Sequence, residues 1–128
     1  MAEKDAALRT VHAVIEAVNG GQNTSGLNCM SDNVVIIDDI APFYRTGKQE
    51  AELWLRRLAT ARDRLHASMD LHAADVRVAG DRAYVVAPGV LKGNLAERVV
   101  DVSGTVTATL ENRDESWLVT SLVWSSGR

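Results

Sequence analysis

The chain has 128 residues, of which 46% are hydrophobic and 24% charged, with a formal net charge of -3. That length supports one domain, 1–128, with a core that needs no covalent staples. The negative balance gives no general attraction to nucleic-acid backbones or anionic membranes. The lone cysteine, Cys29, excludes an intrachain disulfide and a cysteine-built metal site. The start Met1-Ala2-Glu3-Lys4-Asp5 is polar, unlike a signal peptide, and no apolar run reaches transmembrane length. A soluble cytoplasmic protein is expected.

In chain order, Leu8, Val11, Val14, Ile15 and Val18 recur at helical spacing and predict an amphipathic helix over about residues 4–19. Asn19-Gly20-Gly21 stops it, because glycine takes the left-handed conformation that ends helices. Within 22–32, Thr24 or Ser25 is placed to cap one helical turn carrying Leu27 and Met30 inward. Val34 to Ile37 is a β-branched run and reads as a short strand. It leads into Asp38-Asp39 and a Pro42-containing loop. Thr46 is a plausible N-cap for a second long helix over 47–64, whose buried stripe is Leu53, Trp54, Leu58 and Ala61, extended by Leu65.

From His66 the period changes to alternation. Turn signals at Gly80-Asp81, Gly93-Asn94 and Asn112-Arg113-Asp114 mark off strands of about 67–79, 82–93, 97–112 and 115–125. A straight strand over 97–112 would run to about 50 Å, too long for this domain. Gly104 is the expected kink, and Pro88-Gly89 the matching one a strand earlier. Helices early and hairpins late argue for an α+β fold: a cone-shaped, strongly curved sheet, antiparallel or mixed, with helices across its concave face. Such a cone makes a small-molecule pocket.

The chemistry-bearing candidates are few. An apolar strand that ends in two carboxylates is costly unless those groups are solvated, paired or used. Asp38 and Asp39 alternate, so only one of them faces a pocket. Capping of the turn towards Pro42 is the bland alternative to a general base. His72 shares strand parity with Ala74, Val76 and Val78, and an inward imidazole near a carboxylate would make an acid/base pair. A lone inward histidine is more often structural. Arg45 is placed to pair with Asp38 or Asp39, which would be a stabilising feature. Asp101 shares a face with Ser103, Thr105, Thr107 and Thr109, a composition typical of a solvent or interface surface. The three histidines lack metal-site spacing, so no metal and no cofactor are expected.

The element order, Ala17-Val18-Asn19-Gly20-Gly21 after the first helix, and Asp38 followed by Arg45-Thr46-Gly47 together resemble the nuclear-transport-factor-2-like (cystatin-like α+β) superfamily. That superfamily holds ketosteroid isomerases, small polyketide cyclases and scytalone dehydratase. Its isomerases end a strand in a catalytic aspartate, with Arg-Ser-Gly at the same distance before the next helix, so the resemblance implies that Asp38 is a general base. Two departures argue against steroid isomerisation itself. Val14 stands where those enzymes carry a tyrosine donor, and Thr107 or Ala108 where they carry a protonated aspartate. An enolate without such donors loses what is usually the largest catalytic term.

The expected site is therefore Asp38 with His72 as catalytic candidates, inside a wall of Val14, Val18, Tyr44, Trp54, Thr107 and Trp124. The leading expectation is a protein that binds a small apolar or aromatic molecule. An isomerase, cyclase or dehydratase using Asp38 as base, with His72 or Tyr44 as polar partner, is the alternative. A non-catalytic, dimeric interaction domain is the third reading. A homodimer is expected, with no nucleic-acid or membrane partner.

Overall fold

A computed structural model describes residues 2–95 and 98–127. Helix α1 (Ala2–Gly20) is followed by α2 (Asn23–Asn28), strand β1 (Met30–Ile37), strand β2 (Tyr44–Thr46) and helix α3 (Lys48–Leu65). Five strands complete the chain: β3 (Ser68–Leu71), β4 (Asp75–Ala79), β5 (Arg82–Leu95), β6 (Arg98–Arg113) and β7 (Ser116–Ser126). They form one curved, unclosed sheet in the order β2-β1-β7-β6-β5-β3, with β4 also paired to β5. Only β1 and β7 run parallel; the other pairings are antiparallel. This is the α+β cone expected from the order of elements.

The helices bury the stripes that their spacing predicts. Ala7, Val11 and Val14 of α1 and Ala51, Trp54 and Leu55 of α3 lie in one core with Val34, Ile36, Val85, Ala108, Leu110 and Val119 of the sheet. Gly26 of α2 lets the three helices meet closely. A Cβ placed there would lie 3.3 Å from Ala17 Cβ and 3.5 Å from Leu55 Cδ1. Leu53, expected in the α3 stripe, is instead exposed. It lies one residue from Trp54, about 100° around the helix.

Several boundaries differ from expectation, each for a local reason. The N-cap of α3 is Gly47, with φ 88°, and not Thr46. Thr46 belongs to β2, and its N–H donates to Glu50 Oε1 at 2.8 Å, so Glu50 reaches back over the helix start. The cap of α2 is Gln22, without a side-chain bond from Thr24 or Ser25, and Met30 enters β1. Gly93-Asn94 is not a turn: the β5–β6 ladder continues through Gly93↔Val100 to Leu95↔Arg98, and residues 96–97 lie outside the described residues.

Gly89 pairs with Gly104 in the β5–β6 ladder, so the two glycines expected to kink these long strands lie directly opposite one another. A Cβ on Gly104 would overlap the Ser125 carbonyl oxygen and lie 2.6 Å from Trp124 Cη2. Gly104 therefore leaves the space that the Trp124 indole occupies. Gly104→Ala is expected to cost about 1–3 kcal/mol by overpacking. It should also displace Trp124, seen as a changed near-ultraviolet circular dichroism band alongside a lower urea midpoint.

Cys29 is partly buried at the α2–β1 junction, and burial pushes its thiol pKa up. Less thiolate is then available at neutral pH. Alkylation of the native protein by iodoacetamide should be slower than that of the urea-unfolded chain. Equal rates would show the thiol to be freely exposed.

Candidate functional site

The site begins with the alternation of β1. Val34 and Ile36 point into the core and Ile37 outward, so Asp38 returns to the inner face. The β1–β2 register pairs Ile36 with Arg45, and directly opposite residues share a face. Arg45 is thereby brought beneath the 38–44 loop on the same side as Asp38. Trp54 reaches the same point from the sheet-facing stripe of α3.

These residues make a closed polar cluster. Asp38 is 8% exposed and Arg45 5%. Arg45 Nη1 donates to Asp38 Oδ1 at 2.9 Å, and the Ile40 N–H donates to the same oxygen at 3.2 Å. Trp54 Nε1 donates to Asp38 Oδ2 at 2.8 Å. The second guanidinium nitrogen, Nη2, donates to the carbonyls of Ile40 and Ala41 at 3.3 and 3.4 Å. A carboxylate offers about four acceptor positions. Three are occupied here, and the one left open is on Oδ2.

Beside this cluster lies a cavity of about 220 Å³ between α1, α3 and the concave face of the sheet. Its wall is overwhelmingly apolar: Ile15 and Val18 of α1, Leu58, Ala61 and Leu65 of α3, and Ile36, Met69, Leu91, Val106, Leu122 and Trp124 of the sheet. Asp38 and Trp54 form one part of the wall, with Asp39 and Ile40 beside them. Asp39 is exposed and accepts a bond from Ser126 Oγ at 2.7 Å. Arg62, Asn19 and Ser68 complete the polar part. Arg62 donates to the Asn19 carbonyl at 3.1 Å and to Asp63 Oδ1 at 2.6 Å. The Asn19 amide pairs with both backbone groups of Met69 at 2.8 Å, acting as a one-residue strand along β3. Among the described residues, the wall carries no cation without an anionic partner and no cluster suited to a metal ion.

Of the site candidates read from sequence, Asp38, Val18, Trp54 and Trp124 line this cavity, and so does Asp39, so both carboxylates border it and not one alone. The others do not. Val14 is fully buried in the core, turned away from the wall that its neighbours Ile15 and Val18 build. Tyr44 is 58% exposed, because it pairs with the outward Ile37 and so lies opposite to Arg45. Thr107 lies on the outer face, between the inward Val106 and Ala108. Asp101 is exposed too.

His72 is exposed in the β3–β4 break, its N–H bonded to the Pro88 carbonyl at 2.8 Å, and does not meet Asp38. The expected strand 67–79 is two strands. Leu71 pairs with Gly89 and Asp75 with Val86, which is four steps on one side against three on the other. The extra residue reverses the parity, so Met69 and Leu71 face inward before it, and Val76 and Val78 after it. His72 falls on the outward parity of the first piece.

Sequence reasoning missed Asn19, Arg62 and Met69 as wall residues. Asn19 was legible only as a helix stop and Arg62 only as a charge in the last helical turn. Neither role signals a cavity.

No protein-family model matches the chain, and no match was found among curated proteins. Solved structures do match it over nearly its whole length. One is a nuclear-transport-factor-2-like protein with a cystatin-like fold from Novosphingobium aromaticivorans, at TM-score 0.84 and 11% identity, covering 97% of this chain and 82% of that one. Another is the hexachlorocyclohexane dehydrochlorinase LinA-type3 from Novosphingobium barchaimii, at TM-score 0.85 and 16% identity, covering 99% and 88%. A proposed ketosteroid isomerase from Shewanella frigidimarina matches at TM-score 0.80 and 18% identity, covering 94% of each chain.

Proposed function

We propose, from a fold that is the nuclear-transport-factor-2-like, cystatin-like one, that this chain binds a small, neutral, apolar or aromatic molecule between its helices and the curved sheet. The observation that carries this reading is an apolar cavity whose cation among the described residues, Arg62, already has an anionic partner. Burying an anionic ligand there would leave its charge without a counter-ion, which is costly. An apolar ligand gains roughly 25 cal/mol per Å² of surface taken from water. The open acceptor position on Asp38 Oδ2 suits a ligand hydroxyl or N–H, which would fix orientation at one end. The reading includes a cytoplasmic setting, supported by the single, unpaired cysteine.

Thermal-shift measurements across a panel of neutral hydrophobic compounds test the proposal. At least one compound should raise the midpoint of the wild type and leave Leu58→Trp, which fills the cavity, unmoved. Equal shifts in both proteins would sink it.

One observation favours a catalytic version of the same site: Asp38 stands at the wall of an apolar cavity with one acceptor position free. The dehydrochlorinase and the proposed isomerase share the fold. The chemistry would then be proton abstraction by Asp38, without His72. Asp38→Asn should abolish any turnover found, and surviving turnover would refute the role. Self-association through the outer sheet face, where Tyr84 and Val86 are exposed beside Thr109 and Thr107 of β6, is part of the reading as well. Sedimentation equilibrium of wild type against Tyr84→Lys would detect it.

A further inference from the structure

A second cavity of about 140 Å³ lies beneath the β5–β6 hairpin, lined by Leu65, Ala67, Leu91, Gly93, Val100 and Val102, with Lys92 and Asn94 at its side. Leu65, Ala67 and Leu91 also line the main cavity. The two spaces therefore share a wall at the point where α3 turns into β3. His66, with φ 49°, makes that turn and sets Leu65 and Ala67 side by side. Across from them, Leu91 pairs with Val102 and Gly93 with Val100.

The absent side chain at Gly93 helps to keep the second space open. A Cβ there would lie 3.4 Å from the Leu65 carbonyl oxygen and 3.7 Å from Ala67 Cβ. The lining is again apolar, and its one cation among the described residues, Lys92, is paired with Asp70 at 3.1 Å. Val100, on its rim, is 37% exposed, an apolar side chain with one side uncovered. Volume points the same way. Small-molecule sites usually run from about 300 to 1,000 Å³. The main cavity falls short of that alone, and the two together, about 360 Å³, reach it.

We infer that the two cavities receive one elongated neutral ligand. Its hydrogen-bonding end faces Asp38, and its apolar tail passes Leu91 to lie under the β5–β6 hairpin. This rests on the reading of the main cavity as a neutral-ligand site and extends it to ligand shape: a chain or a linear fused-ring system, not a compact single ring.

The n-alkanols from hexanol to dodecanol, titrated against the intrinsic fluorescence of Trp54 and Trp124, test the extension. Each added methylene that finds a buried position raises affinity about fourfold. The rise should continue through dodecanol in the wild type. In Val102→Phe, and independently in Gly93→Leu, it should stop early while hexanol binds as before. Retained hexanol binding certifies that a variant is folded. A rise that stops early in the wild type overturns the extension and leaves the main cavity's role intact. So do long alkanols that bind both variants as tightly as the wild type. Failure of every alkanol to bind overturns both.

Discussion

Arg45→Ala is expected to be the most damaging single substitution in this chain, lowering stability by about 3–5 kcal/mol. The reason is the position of its partner. Asp38 is 8% exposed, and among the described residues Arg45 supplies its only salt bridge. Removing the guanidinium leaves a buried carboxylate held by one backbone N–H and the Trp54 indole. It also strips the Ile40 and Ala41 carbonyls of their donor and so loosens the loop between β1 and β2. A fall of roughly 10–20 °C in midpoint would follow for a domain of this size. A double variant, Asp38→Leu with Arg45→Met, should lose much less than the sum of the single losses, because apolar replacements of a buried pair are often tolerated. Additive losses in urea titrations would mean that the pair does not act as a unit.

Leu55→Ala should come next, at about 2–5 kcal/mol. Leu55 is fully buried where α3 meets α2, against the space that Gly26 leaves. It does not line the main cavity. The expected result is therefore a split one: a much lower urea midpoint, with affinity for a neutral ligand unchanged in the folded fraction at low temperature. Loss of affinity in step with stability would place the ligand elsewhere in the helix layer.

The contrast between these two substitutions shows where sequence was informative. The stripes of α1 and α3 and the long strands of the curved sheet follow from periodicity and turn residues, which are local signals. Asp38 and Trp54 were reachable too, since β1 ends in a carboxylate and Trp54 sits in the α3 stripe. Their bond was not, because it depends on how α3 crosses the sheet.

His72 illustrates the harder limit. Its alternation with Ala74, Val76 and Val78 reads as one strand face, yet a single extra residue between the Leu71 and Asp75 pairings reverses the parity. The same happens in β7, where Thr109 pairs with Ser121 and Leu110 with Val119, leaving Thr120 over. Trp117 and Val119 are buried before that residue, and Leu122 is buried and Trp124 lines the cavity after it. A bulge is fixed by the partner strand, and period-two patterning within one strand cannot register it. Thr107 and Val14 fail for a simpler reason: each lies one position from the residues that face inward or line the wall.

On the proposed reading, the cavity takes neutral apolar ligands rather than anions because its wall cation, Arg62, is already paired. Calorimetric titration of n-decanol and of decanoate at neutral pH, under the same conditions, tests it most directly. The two differ in one end group and little else. Decanol should bind at a single site, with decanoate at least about tenfold weaker, a difference of about 1.4 kcal/mol. Decanoate binding as tightly as decanol, or more tightly, would mean that the wall offers an anion a cation after all, and would contradict the account.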